Sequence, residues 1–140
     1  MTTTWTRPAA VLTAAASGWD GVWSLLYAAG QAAVNLSAVP GADQDLGLSY
    51  AALDVSYALT ELELLGPDVA ATGVAVDLGS VDLADCAAAV VVVDDLLAAA
   101  EFLAIELVTE PDVGTSVVLC VTRVMTLLSS ARAKVTGGVW

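Results

Sequence analysis

The stretch SVDLADCAAAVVVVDDLLAAAEFLAIELV, Ser80 to Val108, decides the fold class. Read alone, its valine run Val90–Val93 suggests a strand. The apolar residues on both sides of that run, however, recur at helical spacing. At about 100° per residue, Val90, Val92, Val93, Leu96, Leu97, Leu103 and Leu107 share roughly half the circumference of a helix. Asp94, Asp95, Glu101 and Glu106 occupy the other half, beside Val91, Phe102 and Ile105. Ser80 suits an N-cap, and Asp82 and Asp85 complement the positive end of the helix dipole. The spacing predicts one long helix whose outer half mixes carboxylates with large apolar side chains.

Working outward, proline and glycine mark the neighbouring boundaries: Arg7-Pro8, Pro40-Gly41, Gly66-Pro67, Glu110-Pro111 and Gly137-Gly138. A first helix is expected from about Pro8 to Ala38, broken or kinked at Ser17–Gly21. It is so apolar that it must be enclosed rather than lie on a surface. A second, amphipathic helix is expected from about Leu48 to Leu65, and a fourth from about Asp112 to Val135, where Arg132 and Lys134 suit the C-terminal dipole. Asp68–Gly79 reads as ordered loop, because a strand at Val74–Leu78 has no partner. These elements predict an all-α, antiparallel four-helix bundle, with residues 1–140 as a single domain.

Composition narrows the function. The chain has 140 residues, 58% of them hydrophobic, with 16 acids against 4 bases and no histidine. A net charge of −12 argues against nucleic-acid binding, which depends on Lys and Arg. Without histidine there is no Ser-His or Cys-His dyad and no His-ligated metal. Mean hydropathy is +0.79, which raises membrane insertion as a question. The window Gly21–Ala42 is interrupted by Ser24, Gln31, Asn35 and Ser37, and the valine-rich window by four carboxylates, each costing at least ~2.5 kcal/mol at mid-bilayer. A cytoplasmic location is expected instead. Cys86 and Cys120 form no C-x-x-C pair and are expected as reduced thiols.

Three constellations could carry chemistry. Tyr50, Asp54, Tyr57 and Glu61, spaced i, i+4, i+7, i+11, align two phenols and two carboxylates along one side of the second helix. Enclosed, such a carboxylate can act as general base while a tyrosine donates to a developing oxyanion; exposed, the row is a solvated face. On the first helix, Ser24, Tyr27, Gln31 and Asn35 fall with Asp20 on a stripe about 80° wide. Buried polar side chains need partners, so this stripe lines either a helix seam or a ligand pocket. Arg123 is placed by the hairpin register near Asp94 and Glu101, as a structural ion pair or as a clamp for an anionic group.

Asp43-x-Asp45-x-Gly47 with Asp54 twelfth resembles a calcium loop but lacks the glycine at position six and the glutamate at twelve. Trp19-Asp20-Gly21 has the W-x-G form, and Tyr50…Asp54 and Tyr57…Glu61 the Y-x-x-x-[DE] form, of actinobacterial secreted helical-hairpin proteins. The likeness covers those positions alone, and the helix before Trp19 is too short to be one arm of such a hairpin. No metal or cofactor is expected.

Twenty charged residues must solubilise four helices. The apolar residues among the acids of the third helix are therefore expected at an interface, most simply that of a two-fold homodimer. Two functional readings follow. One is a bundle that holds a hydrophobic small molecule in an interior pocket edged by Tyr27, Gln31, Asn35, Tyr50, Tyr57 and Arg123, with cofactor-independent proton transfer by Glu61 or Asp54. The other is a non-catalytic homo-oligomeric scaffold or partner-binding bundle.

Overall fold

The computed structural model describes residues 3–42, 46–66 and 68–137. Its helices are α1 (Thr6–Ala15), α2 (Gly18–Ser37), α3 (Gly47–Leu65), α4 (Asp68–Thr72), α5 (Cys86–Val108) and α6 (Thr115–Val135). A single 3-10 turn, Leu83–Asp85, leads into α5. No strand occurs among the described residues. The valine run lies inside α5, as the flanking periodicity predicts.

The expected kink near Ser17 is a complete break. Ala16 and Ser17 are extended, and Gly18 opens α2 at φ +68°, a left-handed conformation that a side chain would strain. Two helix starts differ from expectation. Ser80 is not an N-cap, because no helix forms before the 3-10 turn at Leu83 and the α-helix begins at Cys86. The fourth long helix begins at Thr115 rather than Asp112, since a turn closed by Val113 N–H on the Glu110 carbonyl occupies the residues before it.

Specific contacts give the helix directions. Trp23 meets Glu63 and Gly30 meets Val55, so α2 and α3 run antiparallel. Glu61 meets Arg123 and Asp54 meets Lys134, so α3 and α6 do too. Gly21 lies against Leu103 while Asn35 holds the residues leading into α5, which sets α2 and α5 antiparallel. It follows that α3 and α5 run the same way, and the chain between them must travel back along the fold. The non-helical segment Val74–Asp82 makes that return over α2. Val74 is tied at Ser24 and Gly79 at Asn35, so five residues at up to about 3.3 Å each run along eleven residues of α2 at about 1.5 Å each, about 16 Å in both. This span is the reason α5 cannot start at Ser80.

The core draws Leu25, Leu26 and Leu36 from α2, Val55 and Leu62 from α3, Val93, Leu96 and Leu97 from α5, and Val124 and Leu128 from α6. Fully buried alanines, among them Ala28, Ala29 and Ala32 on α2, let the helices approach closely. Trp5 anchors α1 in this core, with its indole N–H buried and without a protein acceptor. Cys86 and Cys120 are both free thiols. By length and composition, α6 is the one helix among the described residues that could cross a membrane. It is not one of the windows that stand out in the sequence, and Arg123, Arg132 and Lys134 on it are all engaged with carboxylates of α3 or α5.

Candidate functional site

The acidic row of α3 faces α6. Asp54 Oδ2 accepts from Lys134 Nζ at 2.8 Å, and both side chains are largely enclosed, 13% and 16% exposed. Glu61 Oε2 accepts from Arg123 Nε at 2.9 Å, but that guanidinium is 57% exposed. Tyr50 and Tyr57 lie exposed on the same helix. The two carboxylates that were candidates for a general base are thus ion-paired across a helix seam.

Arg123 is not beside Asp94 and Glu101, as the hairpin register suggested. Arg123 lies on the side of α6 that faces α3, and Arg132, nine residues or about two and a half turns further on, takes that place instead. Its Nε donates to Asp94 Oδ1 at 2.9 Å and its Nη1 to Glu101 Oε1 at 3.5 Å. The hydrogen bond to Asp94 holds the Arg132 guanidinium pKa above its ordinary value against a desolvation cost. An open groove of about 210 Å³ beside Glu61 and Arg123 also contains Ser116 and Cys120. The Cys120 thiol donates to the Glu61 carbonyl at 3.4 Å. Burial pushes its pKa up, the Glu61 charge adds to that, and Arg123 opposes it. The thiol therefore stays protonated at neutral pH and is a poor nucleophile.

The polar stripe of α2 divides. Ser24 Oγ donates to the Asp20 carbonyl at 2.7 Å and accepts the Val74 N–H at 2.8 Å. Asn35 Nδ2 donates to Asp77 Oδ1 at 2.9 Å and to the Gly79 carbonyl at 3.0 Å. Asp77 in turn accepts the Gly79 N–H. These two side chains tie the returning segment to α2 at both ends. Tyr27 and Gln31 instead line an open groove of about 240 Å³ between α2 and α3, with Ser56 and Leu59 on its far wall. Tyr27 stacks on Trp23, with ring centroids 5.2 Å apart. The residues expected around one pocket therefore fall at three separate places. Replacing Asn35 with Ala should cost about 1 kcal/mol in denaturant unfolding, because it removes the two side-chain hydrogen bonds that hold Asp77 and Gly79 to α2. It should also open residues 74–82 to protease.

The outer face of α5 and α6 is of a different kind. Val91, Phe102 and Ile105 are 57%, 66% and 47% exposed. Beside Ile105 an open groove of about 510 Å³ lies between α5 and α6, walled by Ile105 and Val108 on one side and Val118, Val121, Thr122 and Met125 on the other. The α5 residues stand out in the sequence. The α6 wall does not, because Val118 and Met125 share the apolar arc that also supplies the core residues Val121, Val124 and Leu128. The alternation of Thr122 and Thr126 with Val118 and Met125 was the available signal.

No group of three or more Cys, Asp or Glu residues that could hold a metal ion occurs among the described residues. Asp43 and Asp45 of the calcium-like loop lie outside them. Comparison with protein-family models, curated proteins and solved structures finds no match.

Proposed function

We propose that this chain is a non-catalytic assembly protein, in which the four long helices act as an antiparallel bundle and the outer α5–α6 face is the surface that associates, most simply in a homodimer. One observation carries this reading. The carboxylates best placed for chemistry, Asp54 and Glu61, are held in ion pairs between helices, while the large apolar side chains Val91, Phe102 and Ile105 of α5 are exposed, the last of them on an open apolar groove. Contiguous apolar surface of this kind marks an interface in soluble proteins. Two free thiols fit a reducing, cytoplasmic setting.

Phe102→Glu tests the reading. It should abolish association while leaving the melting temperature of the protomer nearly unchanged, since the ring is exposed there. An unchanged mass in light scattering would count against it.

A second reading rests on the convergence of Tyr27 and Gln31 on one groove. A hydrophobic small molecule held there would extend toward Ser56, with Tyr50 and Tyr57 further along α3. Proton transfer by Glu61 or Asp54, with Tyr57 as donor, would first require Arg123 or Lys134 to let go. The groove's volume of about 240 Å³ also lies below the roughly 300 Å³ at which ligand pockets begin. The assembly reading is therefore preferred.

A further inference from the structure

Residues 3–16 make no hydrogen bond and no ion pair to the rest of the described chain. Ala16 N–H closes α1 on the Leu12 carbonyl, and Gly21 N–H closes the first turn of α2 on the Ser17 carbonyl, so the two helices are completed separately. Each of the other long helices is tied to a neighbour by a side chain: α2 to α3 through Trp23 and Glu63, α3 to α6 through Asp54 and Lys134, α5 to α6 through Arg132 and Asp94. What holds α1 is one apolar face of Trp5, Ala9 and Leu12, spaced i, i+4 and i+7. Its one charged residue, Arg7, is exposed.

Two features weaken that hold. The Trp5 indole N–H is buried without a protein acceptor, whereas water would satisfy it once the ring is withdrawn. Along α5 the contact is not closed, because an open groove of about 410 Å³ separates Ala10 and Thr13 from Val92, Asp95 and Leu96. A joint is also present: Ala16 and Ser17 are extended and Gly18 is left-handed, so the chain can turn there without unwinding either helix.

We infer that α1 is a lid, which leaves the fold as a unit about Ala16–Gly18 while α2, α3, α5 and α6 stay packed. Its departure uncovers the apolar seam of α2 and α5, with Val92 and Leu96, both buried when the lid is closed, at its edge. The inference goes beyond the assembly reading and does not depend on it, since the helices that α1 packs against are α2 and α5, not α6. Once released, α1 loses its helix, because ten residues are too few to hold one alone in water. Opening is then a local event, distinct from unfolding of the whole chain.

Native-state hydrogen exchange, followed peptide by peptide, reads the lid. Amides of residues 9–16 should exchange on the order of a hundredfold faster than those of residues 25–33. Trp5→Ala should speed exchange in α1 about tenfold further and leave α2 and α3 within about twofold of the parent. Leu12→Ala should act in the same way. Exposure of the seam has its own readout. In a Cys86→Ser background, with Cys120 buried, Val92→Cys should react with a bulky maleimide at a rate that Trp5→Ala raises by the same factor. Equal protection of α1 and α2 would overturn the inference. So would a Trp5→Ala chain that exchanges faster throughout or fails to fold, because α1 would then belong to the common core. A Val92→Cys rate that Trp5→Ala leaves unmoved would overturn it too. None of these results depends on the mass of the assembly, so the assembly reading is judged separately.

Discussion

Lys134→Met should destabilise the chain by about 3 kcal/mol. The lysine ammonium reaches Asp54 at 2.8 Å, where both side chains are mostly enclosed by α3 and α6. Removing one partner of an enclosed pair leaves the other charge desolvated and unpaired, which costs about 3–5 kcal/mol when burial is complete. The remaining exposure of Asp54 places this case at the lower end. In a chain of 140 residues the loss corresponds to a fall in melting temperature of roughly 10 °C. The Asp54→Leu, Lys134→Met double variant should regain most of the loss, since matched apolar side chains can replace an enclosed pair with little penalty. Arg123→Met supplies the contrast. Its guanidinium is mainly in water, so its bond to Glu61 should be worth under about 1 kcal/mol. Equal losses for the two variants would mean that the enclosure around Lys134 does not matter.

Gly73→Ala should cost about 2–3 kcal/mol. A Cβ at that position would sit 2.4 Å from Trp23 Cε3 and 3.1 Å from Cζ3. The indole cannot swing aside: it is buried, stacked on Tyr27, and its Nε1 donates to Glu63 Oε1 at 3.3 Å. The chain must move instead, which pulls the Val74 N–H away from Ser24 Oγ. Both the melting temperature and the protease resistance of residues 74–82 should fall. Gly66→Ala is the control, because its backbone is extended and its added Cβ would meet only Val69 Cγ2, at 3.7 Å. That variant should stay within about 0.5 kcal/mol of the parent.

These two sites show what could be read from the sequence and what could not. Helical periodicity identified the long helices, because each must bury an apolar arc and the arc repeats every 3.6 residues. It also identified α2 as the enclosed helix and put Ser24, Tyr27, Gln31 and Asn35 on one polar stripe, of which Ser24 and Asn35 bond the segment that returns to α5. The identity of those partners was not legible. Asn35 bonds a residue 42 positions away and a backbone carbonyl 44 away, and no local pattern encodes a hydrogen bond to a strap in extended conformation.

The same holds for the ion pairs. Arg123 and Arg132 are nine residues, about two and a half turns, apart on one helix, so they point to opposite sides, and which side faces α5 rather than α3 is set by the packing of the whole bundle. The outward position of Val91, Phe102 and Ile105 was legible because they interrupt a row of acids. The groove beside Ile105 was not, because it lies between two helices and depends on how they pack rather than on the sequence of either.

Sedimentation equilibrium on the purified chain at micromolar concentration, at low and high salt, tests the assembly proposal most directly. A mass near 28 kDa, twice the 14.1 kDa of one chain, is expected, with the dimer persisting at high salt, as an apolar contact does, and disappearing in Phe102→Glu. A single 14.1 kDa species at all concentrations and salts would contradict it, since the apolar face of α5 and α6 would then stand in water uncovered.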